Sequence, residues 1–191
     1  HAYGIVIANS ASAGAITGAA SISAKSGDWY ASGLLASNYG TFETVSGKIY
    51  AENASEQYSA VGIHYSNTLD PLVTINRVLY LGAGAHVAAK NTVNSANAFA
   101  VSNAVGSLTI HGDAVGTQTF VGGINARDNV TLGNGKFYLD HFGATSHWFA
   151  MAVDEQSRLP TAFSDITISA GALATVAKPI SFAADTVYLD G

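Results

Sequence analysis

Along the chain, short apolar runs broken by a glycine alternate with spacers of Asn, Ser, Asp and Gly, and the runs return at a fixed interval. Ala2-Tyr3-Gly4-Ile5, Ala31-Ser32-Gly33-Leu34 and Ala60-Val61-Gly62-Ile63 are evenly spaced, the step from Ala2 to Ala31 being repeated from Ala31 to Ala60. Ile16-Thr17-Gly18 and Val45-Ser46-Gly47 keep the same interval, and aromatic residues stand just upstream of the motif at Trp29-Tyr30 and Tyr58. A period of roughly 20 to 50 residues is the signature of a repeat architecture. β-branched and aromatic residues dominate the runs, the spacers supply turn geometry, and no long helical periodicity is present, so each unit is predicted to hold strands. Side chains alternate between the two faces of a strand. One phase carries Ile5, Leu34 and Ile63 and is expected to form an inward ladder; the other carries Val6, Leu35 and His64 and is expected to face out.

After residue 66 the interval changes. Ala98-Phe99-Ala100-Val101 resembles the same motif but follows Ala60 at a longer interval, and Val121-Gly122-Gly123-Ile124 then arrives at a shorter one. Insertions and deletions at the turns account for this, beginning with Asn67 to Leu72, where Asp70-Pro71 is a turn signal. Trp148-Phe149-Ala150-Met151 is a further degenerate copy. Val130 to Leu139 reads as two strands about an Asn134-Gly135 turn, and Asp165 to Ser169 and Thr186 to Leu189 read as further strands.

A single unit of short strands cannot bury an apolar face alone, whereas stacked units share one core. Each buried Leu or Ile contributes about 1.5–3 kcal/mol, against about 1–2 kcal/mol for ordering each backbone residue, so contacts between neighbouring units decide stability. The predicted fold is all-β: a parallel β-helix, or β-solenoid, with roughly 29-residue repeats in the N-terminal third and more irregular coils after. Residues 1–191 are expected to form a single β-solenoid domain, and the start in mid-motif at Ala2 predicts a fragment of a longer chain. An uncapped terminal rung is an exposed strand edge, so self-association through the solenoid ends is expected.

Composition narrows the function classes. Charged residues make up 11% of the chain, far below the roughly 25% usual for soluble domains, so the surface is built from small neutral side chains. The net charge is −5 with no basic run, which lacks the electrostatic footprint of a nucleic-acid binder. No stretch approaches the roughly 18 uninterrupted apolar residues of a membrane-spanning helix. Cysteine is absent, which excludes a disulfide scaffold.

Candidate chemistry is sparse. His111-Gly112-Asp113 and Asp140-His141 place titratable groups side by side, but a catalytic or metal site needs several groups converging on one point, and turn residues are the preferred reading. Asp154-Glu155 with Arg158 form the best enzymatic candidate, since a polysaccharide-cleaving β-helix uses clustered carboxylates on one face. Asn53-Ala54-Ser55 and Asn129-Val130-Thr131 fit the N-glycosylation pattern. Leu81-Gly82-Ala83-Gly84-Ala85 misses both phosphate-loop and dinucleotide patterns and reads as a turn. Trp29, Tyr30 and Tyr58 offer either a sugar-stacking face or core and edge packing. No catalytic, cofactor-binding or metal residue is assigned, no cofactor is expected, and the chain is not expected to be an enzyme.

The Ala-x-Gly-Ile runs, each followed by a hydrophobic-x-Gly step in a Gly/Ala/Ser/Asn-rich chain without Cys, resemble the passenger region of bacterial autotransporters. The resemblance covers residues 2 to about 66 well and the rest loosely. It implies right-handed parallel β-helix repeats, export by a C-terminal β-barrel that these residues do not include, and an extracellular or cell-surface location associated with the bacterial outer membrane. The expected function is a structural or adhesive extracellular surface module, with a host or cell-surface glycan or protein as partner. Alternatives are a self-assembling filament or surface-layer subunit, and a polysaccharide-cleaving β-helix enzyme.

Overall fold

The computed structural model describes residues 1–17, 21–68, 73–143, 146–153 and 160–190. Strands dominate; helical structure among the described residues is the single 3-10 turn Ser95–Asn97, capped by the Asn94 side chain, which accepts from the Ala96 backbone N–H.

Three parallel sheets carry the architecture. The first joins Ala2–Ile7, Ala31–Ser37, Ala60–Ser66, Ala98–Asn103, Gly123–Ala126 and Ser146–Val153 in sequence order; Ile180–Ala183 continues it in parallel, and Pro160–Phe163 pairs antiparallel with Ser146–Val153. The second joins Ser21–Lys25, Lys48–Asn53, His86–Asn91, Thr117–Val121, Gly135–Asp140 and Ala172–Val176. The third joins Thr44–Val45, Arg77–Leu81, Leu108–Gly112, Val130–Leu132, Ile166–Ile168 and Val187–Leu189. The chain visits first, third and second sheet in that cyclic order along its length. This all-β arrangement of parallel sheets is consistent with a β-helix-like fold.

The register follows the sequence motif. Ile5 pairs with Leu34 and Leu34 with Ile63, while Ile16 bridges Val45. Outside the strands, the Asn38 amide donates to Asn9 Oδ1 at 2.9 Å across the same interval of 29 positions. Ala98 pairs with Ala60 although the interval is longer, and Ile124 pairs with Trp148. The inward ladder therefore runs Leu34, Ile63, Val101, Ile124 and Trp148, all at most 1% exposed, whereas Ile5 at its open end is 39% exposed. Matching ladders fill the other two walls: Ile49, Val87 and Phe120 from the second sheet, Leu79, Ile110 and Leu132 from the third. Burial of such side chains at about 1.5–3 kcal/mol each is the principal cohesion between neighbouring strands.

The motif glycine marks where alternation slips. Val61 lies on the outer face of the sheet while Ile63, two positions on, lies in the core, although strict alternation would put them on one face. A Cβ on Gly33 would lie 2.9 Å from the Gly62 carbonyl oxygen and 2.7 Å from Ile49 Cγ2, so close backbone approach requires glycine there.

Two expectations need correction. The strands flanking Asn134-Gly135 exist, but they do not pair with each other: Val130–Leu132 joins the third sheet and Gly135–Asp140 the second. Gly135, at φ +135, turns a corner between sheets rather than a hairpin. Val121 closes a strand of the second sheet, and the motif resumes at Gly123, which pairs with Phe99 across a register shift.

Candidate functional site

The outward phase of the first sheet is not solvent-exposed throughout. Val6 is 49% exposed, but Leu35, its cross-strand neighbour, is buried, and His64 is only partly accessible. The row continues across the sheet through Ser102, Asn125 and Phe149. A cleft of about 540 Å³ lies over this row. Val61, His64, Phe99, Ser102 and Asn125 form its floor, Tyr30 and Ser59 precede the strands at one end, and at the other Ser66 ends its strand and Asn67 and Thr68 follow. A second cavity of about 380 Å³ shares Phe99, Ala104 and Asn125 and extends the depression to Phe149.

Strand alternation places these polar groups outward, and parallel pairing aligns them in one row. His64 Nδ1 lies 3.4 Å from the hydroxyl of fully buried Ser32. Burial pushes the His64 imidazole down to about 4, so it is neutral near pH 7. Asn125 Oδ1 is shielded from water and has no hydrogen-bond partner. Among the described residues, the main cleft is lined by no Asp, Glu, Lys or Arg.

An aromatic cluster stands beside Tyr30. Trp29 and Tyr58 stack with ring centroids 5.0 Å apart, Tyr30 meets Tyr58 at 4.9 Å, and His1 packs on Trp29 and Tyr30 at 5.6 and 5.9 Å. The cluster belongs to the surface rather than the core, with Trp29 50% exposed. Its backbone is held from below: buried Asn53 donates to the carbonyls of Trp29 and Tyr58, at 3.3 and 2.7 Å. Asn91, its partner in the second sheet, donates to the Ser55 and Tyr58 carbonyls, at 2.7 and 3.1 Å. Asn53, which fits the glycosylation pattern, is 1% exposed and engaged as a clamp, whereas Asn129 is exposed.

The paired titratable residues do not build a second site. Asp113 Oδ1 accepts from the Val115 backbone N–H, and His111 stacks on Tyr80 while its Nδ1 accepts from Asn134 N–H. Asp140 accepts from the His141 backbone N–H and pairs with Lys178 at 3.1 Å. Lys178 also donates to the His141 carbonyl, and His141, 3% exposed, brings its two ring nitrogens against the carbonyls of Gly143 and Pro179. These contacts latch residues 140–143 to 178–179. Among the described residues no three His, Cys, Asp or Glu side chains gather as a metal site. Asp154, Glu155 and Arg158 lie outside the described residues.

The cleft residues Ser102 and Asn125 escape sequence reasoning because neither belongs to a motif; the outward phase that holds Val6, Leu35 and His64, extended by register, is the signal that leads to them. No helix among the described residues is long and apolar enough to cross a membrane. No protein-family model, no curated protein and no solved structure matches this chain.

Proposed function

We propose that the chain is a parallel β-helix, with a roughly 29-residue repeat in its N-terminal third, that works outside the cell as a structural or adhesive surface module of the autotransporter-passenger kind. The observation that carries the adhesive reading is the cleft on the outer face of the first sheet, which sets polar side chains and an aromatic cluster on a scaffold with a continuous core. Ligand sites are concave, part apolar, and oriented by a few polar groups, and this cleft has that character. Among the described residues its lining offers no carboxylate, which favours binding over cleavage of a bound polymer. The motif resemblance supports an extracellular location associated with the bacterial outer membrane.

Beads coated with the purified chain test the reading on panels of epithelial and bacterial cells. Retention above albumin-coated beads, abolished by prior heat unfolding, is expected; retention equal to albumin on every surface sinks the proposal.

Self-association is a second reading, favoured by one observation. Tyr3, Ile5 and Val6 are exposed at one end of the stack, and Leu173, Val176 and Leu189 at the other. Ends of unlike composition that pair head to tail generate filaments. Light scattering over a hundredfold concentration range distinguishes the two, and a constant monomer mass removes the filament.

A further inference from the structure

We infer that the cleft over the first sheet binds an uncharged, linear oligosaccharide, which packs against Tyr30 and the adjoining Trp29 at the mouth and lies along the His64, Ser102 and Asn125 row. This inference rests on the binding role proposed above and names its ligand class.

Charge excludes most alternatives. Among the described residues the main cleft offers no ionic side chain, and Arg127 in the neighbouring cavity is already engaged by Asp128 and Thr74, so a phosphate, sulfate or carboxylate over the His64 row would be desolvated without compensation. An extended peptide recognised by strand addition needs a free sheet edge, and the strands beneath the cleft are paired on both sides. What the cleft does offer is a mixture of hydroxyl, amide and imidazole groups that donate and accept, which matches the dual character of sugar hydroxyls.

Shape adds a second, independent argument. Adjacent strands lie about 4.8 Å apart, so a row over three strands extends about 10 Å, and the neighbouring cavity lengthens it towards Phe149. A depression that is long and crosses the strands suits a linear chain rather than a compact ligand. At its mouth stands Tyr30, which packs on Tyr58, and beside them half-exposed Trp29 presents aromatic surface of the kind that packs on the C–H face of a pyranose.

The test uses the whole 191-residue chain and four neutral probes, cellohexaose, laminarihexaose, xylohexaose and mannohexaose, with polygalacturonate as the acidic counterpart. The two tryptophans provide an internal control, because Trp29 sits in the cluster and Trp148 is 1% exposed in the core. At least one neutral probe is expected to shift the NMR signals of the Trp29 indole and the His64 ring while Trp148 stays fixed. Ser102→Leu, which fills the floor, is expected to raise Kd at least tenfold, and Trp29→Ala, at the exposed mouth where folding is not at stake, at least threefold. Silence from all four probes, binding that neither substitution weakens, or polygalacturonate binding as tightly as any neutral probe overturns the inference. Bead adhesion that persists without any hexasaccharide binding sinks the sugar and spares the adhesive reading. Hexasaccharide binding by a chain whose beads do not adhere does the opposite.

Discussion

His64 shows what placing a titratable side chain over a parallel sheet costs. Its imidazole titrates near 4 when folded and near 6.5 when unfolded, because burial disfavours the charged form. The unfolded state therefore binds more protons between those values, and folding stability is fully present above about pH 6.5 and lost as pH falls towards 4. At about 1.4 kcal/mol for each tenfold in the proton equilibrium, the loss is up to about 3 kcal/mol. Urea midpoints from pH 7 to 4 are expected to fall more steeply for the native chain than for His64→Gln, and parallel curves would remove His64 as the cause. Asn91 makes a comparable commitment without charge: besides two carbonyls, it serves the backbone N–H groups of Val93 and Asn94. Asn91→Ala is expected to cost about 2–3 kcal/mol, read from chemical denaturation, because it leaves several buried groups unmet. Such roles were invisible in the sequence. Asn53 satisfies a glycosylation pattern by spelling alone, and only the fold reveals that its amide is turned inward.

At the scale of the strand, the glycine of the apolar motif is the informative position. A Cβ on Gly62 would come within 2.6 Å of the Ala100 carbonyl oxygen and 2.7 Å of Val87 Cγ1. Gly62→Val is expected to destabilise by about 1–3 kcal/mol or more through overpacking against backbone that cannot retreat. Gly27→Ala, where nothing lies within 4 Å, is expected to stay within about 0.5 kcal/mol. Equal effects at the two sites, measured by denaturant midpoint at constant slope, would refute the close-approach argument. Strands and their pairing were legible because the same spacing sets both: Ile5, Leu34 and Ile63 share a motif position and share a ladder. The Asn134-Gly135 corner was misread because a turn dipeptide reports local φ, not which sheet the following strand will join.

For the molecule as a whole, most contacts join strands that neighbour one another in a sheet, as expected where stability is a sum over neighbours. Amide hydrogen exchange is expected to be slowest in Ala60–Ser66, Lys48–Asn53 and His86–Asn91, which are covered on both sides, and fastest in Ala2–Ile7 and Val187–Leu189 at the edges. Uniform protection would indicate a single all-or-none unit instead. The core was readable from sequence because period and burial coincide; the cleft was not, since it depends on which outward side chains the register sets beside one another. The parallel register has a mechanical corollary. In the proposed β-helix, hydrogen bonds between successive strands of each sheet point along the stack, so a load applied at the two termini meets them one layer at a time, like a zipper and not like a seam in shear. In the N-terminal third, where paired positions of the first sheet are 29 apart, each layer that yields should release roughly 100 Å of contour at about 3.3–3.6 Å per residue. A force–extension trace should then be a staircase of low, even steps, and a single high rupture would show that tension is shared across layers.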